Sequence, residues 1–195
     1  MNASCDPEIR RRRAIRLRDN DYSRAGAYFI TVCTVGRELL FGEVKDGEMA
    51  LNELGWIVEE EWLQSAWIRS EIELDAWVVM PNHVHGIVII ADESRRGDRP
   101  VARGGPRPKS LGAMMAGFKS AVTKRINAMR GTPGALVWQR NYYEHIIRNE
   151  STLYWIRQYI AVNPPGWSKD PENPANRDGR DPIGTRATGR SPLQW

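Results

Sequence analysis

Apolar and polar positions change period several times along the chain, and each change predicts an element. AYFITVCTV (27–35) is rich in β-branched and aromatic residues and predicts a strand. LLFGEV (39–44) and EMAL (48–51) flank Lys45-Asp46-Gly47 and predict a hairpin, since Asp-Gly supplies the positive φ angles of a tight turn. Asn52 is placed to cap a helix running to about Arg69, with Leu54, Val58, Trp62 and Ala66 four apart on one side. IELDAWVVM (72–80) and HVHGIVII (83–90) predict two more strands. Only Pro81 and Asn82 separate them, so they should pair antiparallel.

Residues 91–109 lose any apolar period and read as a loop. Ser110 is placed to cap a helix with Leu111, Met114, Met115, Phe118, Val122, Ile126 and Met129 on one face, ended by Gly131, Pro133 and Gly134. LVWQRNYYEHII (136–147) predicts a strand. Ser151 is placed to cap a last helix, LYWIRQYIAVN (153–163), which Pro164 stops. Residues 164–195 are Pro, Gly and charge with little to bury and read as a tail.

Short-turn strands with interspersed helices imply an α+β fold: a mostly antiparallel sheet with helices packed on one face, as in ferredoxin-like folds. The expected organisation is a basic N-terminal arm (1–20), one catalytic domain (21–166) and a flexible C-terminal tail (167–195). No apolar run approaches the roughly 18 residues of a membrane helix, and MNASCDPEIRRRR lacks the apolar core of a secretory signal. Cys5 lies in a polar segment and Cys33 in an apolar strand, which favours two free thiols in a reducing cytosol.

The net charge of +4 says little until its distribution is read. Residues 10–18, RRRRAIRLR, carry six arginines and no acid. Residues 95–109 carry six basic groups against Asp98, and the segment 110–130 has Lys119, Lys124, Arg125 and Arg130 without an acid. Basic charge gathered in separate segments can attract a polyanion such as nucleic acid. Solvated helix faces and loops would give the same pattern.

Candidate chemistry begins in MPNHVHGIVII (80–90). Side chains alternate along a strand, so His83 and His85 point to one face with Cα atoms about 7 Å apart. Two imidazoles so placed can converge on one cation, or each can simply hydrogen-bond within the protein. Val84, Gly86, Val88 and Ile90 form the opposite, apolar face. On the last helix Tyr159 and Asn163 are one turn apart and share a side. A phenol beside a carboxamide and a metal can be a nucleophile, and a packed aromatic would look the same.

VVMPN followed by HVHG, then SLGAMMAGFKSAVTKRIN, VWQRNYYEHIIRNE and YIAVNP, resemble in order and spacing the REP-associated tyrosine transposases. These belong to the single-tyrosine HUH superfamily of single-stranded-DNA nucleases. The resemblance covers roughly residues 21–174. It implies a histidine pair on a central strand and a nucleophile on the last helix. His83 and His85 become metal ligands, Asn163 a third ligand and Tyr159 the nucleophile, with Mg²⁺ or Mn²⁺ as cofactor. It further implies cleavage of single-stranded DNA at repeated hairpins, through a 5′-phosphotyrosine intermediate and a free 3′-OH that can reverse the step. A monomer in the cytoplasm, associated with the nucleoid, is the expected state.

Other residues fit this picture as candidate DNA contacts. Arg95, Arg96, Arg103 and Arg107 could clamp a hairpin, and Lys119, Lys124 and Arg125 could neutralise phosphates. Trp138, Tyr142 and Tyr143 could stack on unpaired bases, although a tryptophan here packs as readily in a core. His145 is expected to satisfy a backbone carbonyl rather than join the site. The alternatives are a non-catalytic, domesticated hairpin-binding relative and a small-substrate metallohydrolase. The intact His83, His85, Tyr159 and Asn163 argue against the first. The basic segments and the lack of a richer Asp/Glu/His cluster near His83 argue against the second.

Overall fold

The computed structural model describes residues 25–91 and 110–176. The N-terminal arm, the loop arginines Arg95, Arg96, Arg103 and Arg107, and the chain beyond residue 176 lie outside the described residues.

A four-stranded antiparallel sheet in the order β4-β5-β1-β6 organises the domain. β1 is Gly26–Cys33, β4 Ile72–Met80, β5 His83–Ile90 and β6 Tyr143–Ile147. The strand carrying both histidines is therefore central, hydrogen-bonded on both edges. β2 (Gly42–Lys45) and β3 (Glu48–Leu51) form the separate hairpin expected. Its turn places Asp46 at φ 53 and Gly47 at φ 80, as the Asp-Gly pair required.

Helix α1 (Glu53–Trp67) starts on the Asn52 side chain, which accepts from the amides of Leu54 and Gly55. Helix α2 (Leu111–Arg130) starts on Ser110 and ends on Gly131 in the left-handed conformation (φ 64). Both pack on the sheet face presented by Val84, Gly86, Val88 and Ile90. Along α2 the predicted apolar face is buried from Leu111 to Ile126, whereas Met129 is 53% exposed past the end of the sheet. Gly86 is required by a close approach. A Cβ there would sit 2.5 Å from Cζ2 of the fully buried Trp62, so the ring of α1 fills the space that a side chain would need.

The helices do not all lie on one face. Helix α3 (Glu150–Ala161) covers the opposite side, where Phe29, Ile87, Ile147, Ile156 and Ile160 make a second core. The histidine face would otherwise expose Phe29 and Ile87 to water, and the amphipathic α3 is the element left to cover them. Asn149 caps α3, its side chain accepting from the amide of Thr152, so the helix begins three residues earlier than Leu153 and Ser151 is not the cap. The strand predicted over 136–147 also shortens. Residues 137–139 pair irregularly with 33–35, and the Lys119 ammonium draws the carbonyls of Gln139, Arg140 and Asn141 towards itself and away from a ladder.

Past α3 the backbone does not run off as a tail. It forms a four-residue helix α4 (Asn163–Gly166) and two single 3₁₀ turns, Trp167–Lys169 and Pro174–Asn176. Asn163, Asp170 and Asn173 are all buried there. Composition misleads because this segment contributes polar side chains, not apolar ones, to the interior. They are paid for by local bonds such as Asn173 Nδ2 to the Trp167 carbonyl (3.0 Å).

Candidate active site

β5 holds His83 and His85 on the α3 side of the sheet, with ring centroids 4.4 Å apart, and both are buried. β1 lies alongside in a register that sets Thr31 opposite His85 and Cys33 opposite His83. The Thr31 hydroxyl meets Nδ1 of His85 at 2.8 Å, leaving Nε2 to face the phenol of Tyr159 on α3 at 3.3 Å. Phe29 stacks against the His85 ring (centroids 5.4 Å) and meets Tyr159 edge-on (6.1 Å). His83 is bonded through Nδ1 to the Asn82 side-chain oxygen at 2.9 Å, while its Nε2 is buried without a protein partner.

The segment after α3 supplies the remaining groups. Asn163 donates through Nδ2 to Oδ2 of Asp170 (3.0 Å), and its own Oδ1 is buried and unpartnered. Asp170 accepts from the Glu172 amide through its other oxygen. One ligand atom from each of His83, His85 and Asp170 lies within 4.8 Å of the others. Asp170 was missed because it follows a Pro-Pro-Gly run that composition assigns to a tail. The only sequence signal for it is its place seven residues after Asn163. It supplies an acid beside His83, so the lack of such a residue no longer argues against a small-substrate metallohydrolase, and the basic segments alone do.

The electrostatics are those of a site that disfavours isolated charge. Burial, then the imidazole of His85 and the guanidinium of Arg37, hold His83 well below the ordinary histidine value. Burial lowers His85 to about 3, against an opposing hydrogen bond to the Ile30 backbone. Both rings are thus neutral at pH 7, the form that ligates metals. Burial pushes the Asp170 carboxyl up. Burial, reinforced by the Asp170 charge, pushes the Tyr159 phenol up as well. A divalent cation answers each of these features. It would satisfy the orphaned Nε2 of His83 and Oδ1 of Asn163, and favour the anionic forms of Asp170 and Tyr159. Two imidazoles with carboxylate and carboxamide oxygens suit a hard to borderline ion.

Several candidate DNA contacts are engaged elsewhere. Trp138 is buried between Phe41 and Phe118, so its ring is not free to stack on a base. The partly buried Lys119 spends its hydrogens on three carbonyls, and burial lowers its amine to about 8. Arg125 is paired with Glu60 and Glu61 of α1 at 2.6 and 2.9 Å. Tyr142 and Tyr143 are partly buried, packed on opposite cores. Lys124 is exposed. His145, opposite Phe29 on β6, stands outside the three-residue cluster.

A protein of Haemophilus influenzae, described as uncharacterized, is 36% identical over 179 residues, spanning 87% of this chain and 97% of that one. The chain belongs to that protein's family. No protein-family model matches it. Among solved structures, the chain's fold is similar to that of a REP-associated tyrosine transposase determined bound to a REP hairpin. The overlap has a TM-score of 0.53 at 23% identity and covers 77% of this chain and 74% of the transposase. The central-strand histidines and flanking helices thus sit on an architecture that a transposase also uses. Among the described residues, no helix is long and apolar enough to cross a membrane.

Proposed function

We propose that this protein is a metal-dependent transposase or endonuclease that cleaves and rejoins single-stranded DNA at repeated hairpins. The observation that carries the reading is the placing of the Tyr159 phenol oxygen 3.3 Å from Nε2 of His85, within a buried cluster that also holds His83, Asn163 and Asp170. Fold likeness to a hairpin-bound transposase supports the same reading. His83, His85 and Asp170, with Asn163 Oδ1, would hold Mg²⁺ or Mn²⁺. Such an ion supplies Lewis-acid polarisation of a phosphodiester oxygen and favours the ionised phenol.

The protein's own residues do the rest. Tyr159 gives up its proton to solvent water and its oxygen bonds to phosphorus. The bond from phosphorus to the 3′ oxygen breaks, and that oxygen takes a proton and leaves as a 3′-OH. The 5′ phosphate remains on tyrosine as an ester, so the bond energy is kept and attack by a 3′-OH reverses the step without ATP. Phe29 and α3 keep the phenol oriented and partly screened from water. The basic segments, with Arg95, Arg96, Arg103 and Arg107 and the exposed Lys124, would bind phosphates. The protein would act as a monomer in the cytoplasm.

The test is incubation of the full chain with a single-stranded hairpin oligonucleotide and Mn²⁺. The expected result is a covalent protein–DNA species on a denaturing gel and a shortened 3′-OH fragment. Absence of both across hairpins drawn from repeats flanking the gene would refute the proposal.

A further inference from the structure

Asn82 closes the turn between β4 and β5 and is completely buried. Its three polar contacts fix its orientation. Nδ2 donates to the Arg37 carbonyl (3.1 Å) and to the Glu172 carbonyl (2.8 Å), and Oδ1 faces Nδ1 of His83 (2.9 Å). Turning the amide over would set its oxygen against two carbonyl oxygens, which cannot donate. The oxygen must therefore face His83, and since it only accepts, the proton must be on Nδ1 of that ring. Nε2 is then left with its lone pair, and it is the ring nitrogen without a partner. A neutral imidazole in water favours the other tautomer, so the protein is imposing this one.

The same side chain reaches the acidic arm of the site. The Glu172 carbonyl that Asn82 holds belongs to the residue whose amide donates to Oδ1 of Asp170. Arg37, the other residue tethered, is ion-paired with Glu172. The Asn82 backbone carbonyl accepts from the Thr34 amide (2.9 Å). Asn82 therefore ties together three parts distant in sequence: the end of β1, the histidine strand and the segment carrying Asp170.

We infer that Asn82 is a positioning residue that fixes His83 as the Nδ1–H tautomer, with Nε2 free to bind a cation, and registers the Asp170 segment against that ring. This rests on the metal-site reading above but is separable from it, because the tautomer exists without metal. A ligand histidine usually owes its tautomer to the partner of its other nitrogen, and loss of such a partner costs roughly 10–100-fold in metal affinity.

The chain has three histidines, which makes the measurement direct. Full-length protein with ¹⁵N-labelled histidine, in chelator at neutral pH, is examined by long-range ¹H–¹⁵N correlation, with His83 assigned from its loss in His83→Gln. The expected pattern is a proton on Nδ1 of His83. A proton on Nε2 overturns the inference with no variant needed. In Asn82→Ala the His83 pattern should move to a mixture or to Nε2–H while that of His85 stays, and Mn²⁺ titrated alone should bind roughly 10–100-fold more weakly. An unchanged His83 pattern with unchanged Mn²⁺ affinity also overturns it. Wild type with the Nδ1–H pattern but no Mn²⁺ binding would remove the metal-site reading and leave the hold of Asn82 on the ring intact.

Discussion

The phenol oxygen of Tyr159 lies 3.3 Å from Nε2 of His85. The two residues are 74 apart in sequence and come from opposite layers of the domain, a helix and a central strand. With the proton on Nδ1, Nε2 of His85 offers its one lone pair to the phenol, and an ion bound there would take that acceptor. The contact therefore couples metal binding to the state of the phenol, and burial of both groups strengthens that coupling.

The metal site should depend on Asp170. Asp170→Asn removes the one carboxylate of the cluster while keeping its shape and its hydrogen bond from Glu172. Partners of a ligand alone are worth roughly 10–100-fold, so loss of a charged ligand should weaken Mn²⁺ binding by at least that much in calorimetric titration. Equal affinity in the variant and wild type would leave Asn163 as the third ligand, as the sequence alone suggests.

Asp75 and Arg157 should hold the tyrosine helix in place. Asp75 sits at the irregularity of β4 between Leu74 and Trp77, and takes Nε and Nη2 of Arg157 from α3 at 2.6–3.0 Å. Arg157 is half-exposed but the Asp75 side chain is largely covered (46% and 16%), so Arg157→Ala should lower the melting temperature by about 2–4 °C. It should raise amide exchange in α3 and slow adduct formation. Asp75→Arg combined with Arg157→Asp should recover part of the rate. Unchanged exchange in α3 would show that its apolar face suffices.

Gly86 should tolerate no side chain. Gly86→Ala drives a methyl into the Trp62 ring and should cost about 1–3 kcal/mol in chemical denaturation, as overpacking does. Trp62→Phe in the same chain should return part of that loss.

Acid should unfold the metal-free protein through the histidines. Unfolded imidazoles take protons near 6.5, whereas the folded rings of His83 and His85 do so only well below that, His85 at about 3. Their depressed values make stability complete above pH 6.5. It falls as pH drops towards the folded values, by up to about 1.4 kcal/mol per pH unit for each ring. Asp170 has the opposite sign: its folded carboxyl is raised above 3.8, so the native state gains a proton first and the slope flattens at the acid end. Urea midpoints in chelator should fall steadily below pH 6.5, and a midpoint constant down to pH 4.5 would contradict buried neutral imidazoles.

Much of this was legible in the sequence because it rests on local signals. Alternation put His83 and His85 on one face, Asp46-Gly47 named its own turn, and Asn52 and Ser110 capped where an amide-accepting side chain precedes an apolar period. What escaped depends on partners distant in the chain. Asn149 and Ser151 are both good caps, and either start leaves Ile156 facing the second core, so the apolar pattern does not choose between them. The charges of Lys119 and Arg125 read as free because the carbonyls and glutamates that hold them lie 20 to 65 residues away. Asp170 sits in a segment that looks unfoldable until Asn163 and the turn residue Asn82 are in place to bond to it and to Glu172.

Mapping the covalent adduct tests most directly whether Tyr159 is the nucleophile. Trypsin cuts after Arg157, which separates Tyr154 from Tyr159, so mass spectrometry of the digested protein–DNA species assigns the tyrosine without a variant. The nucleotide mass should fall on the peptide from Gln158 to Lys169 and be lost in Tyr159→Phe. An adduct on the peptide containing Tyr154, or one that persists in Tyr159→Phe, would contradict that role.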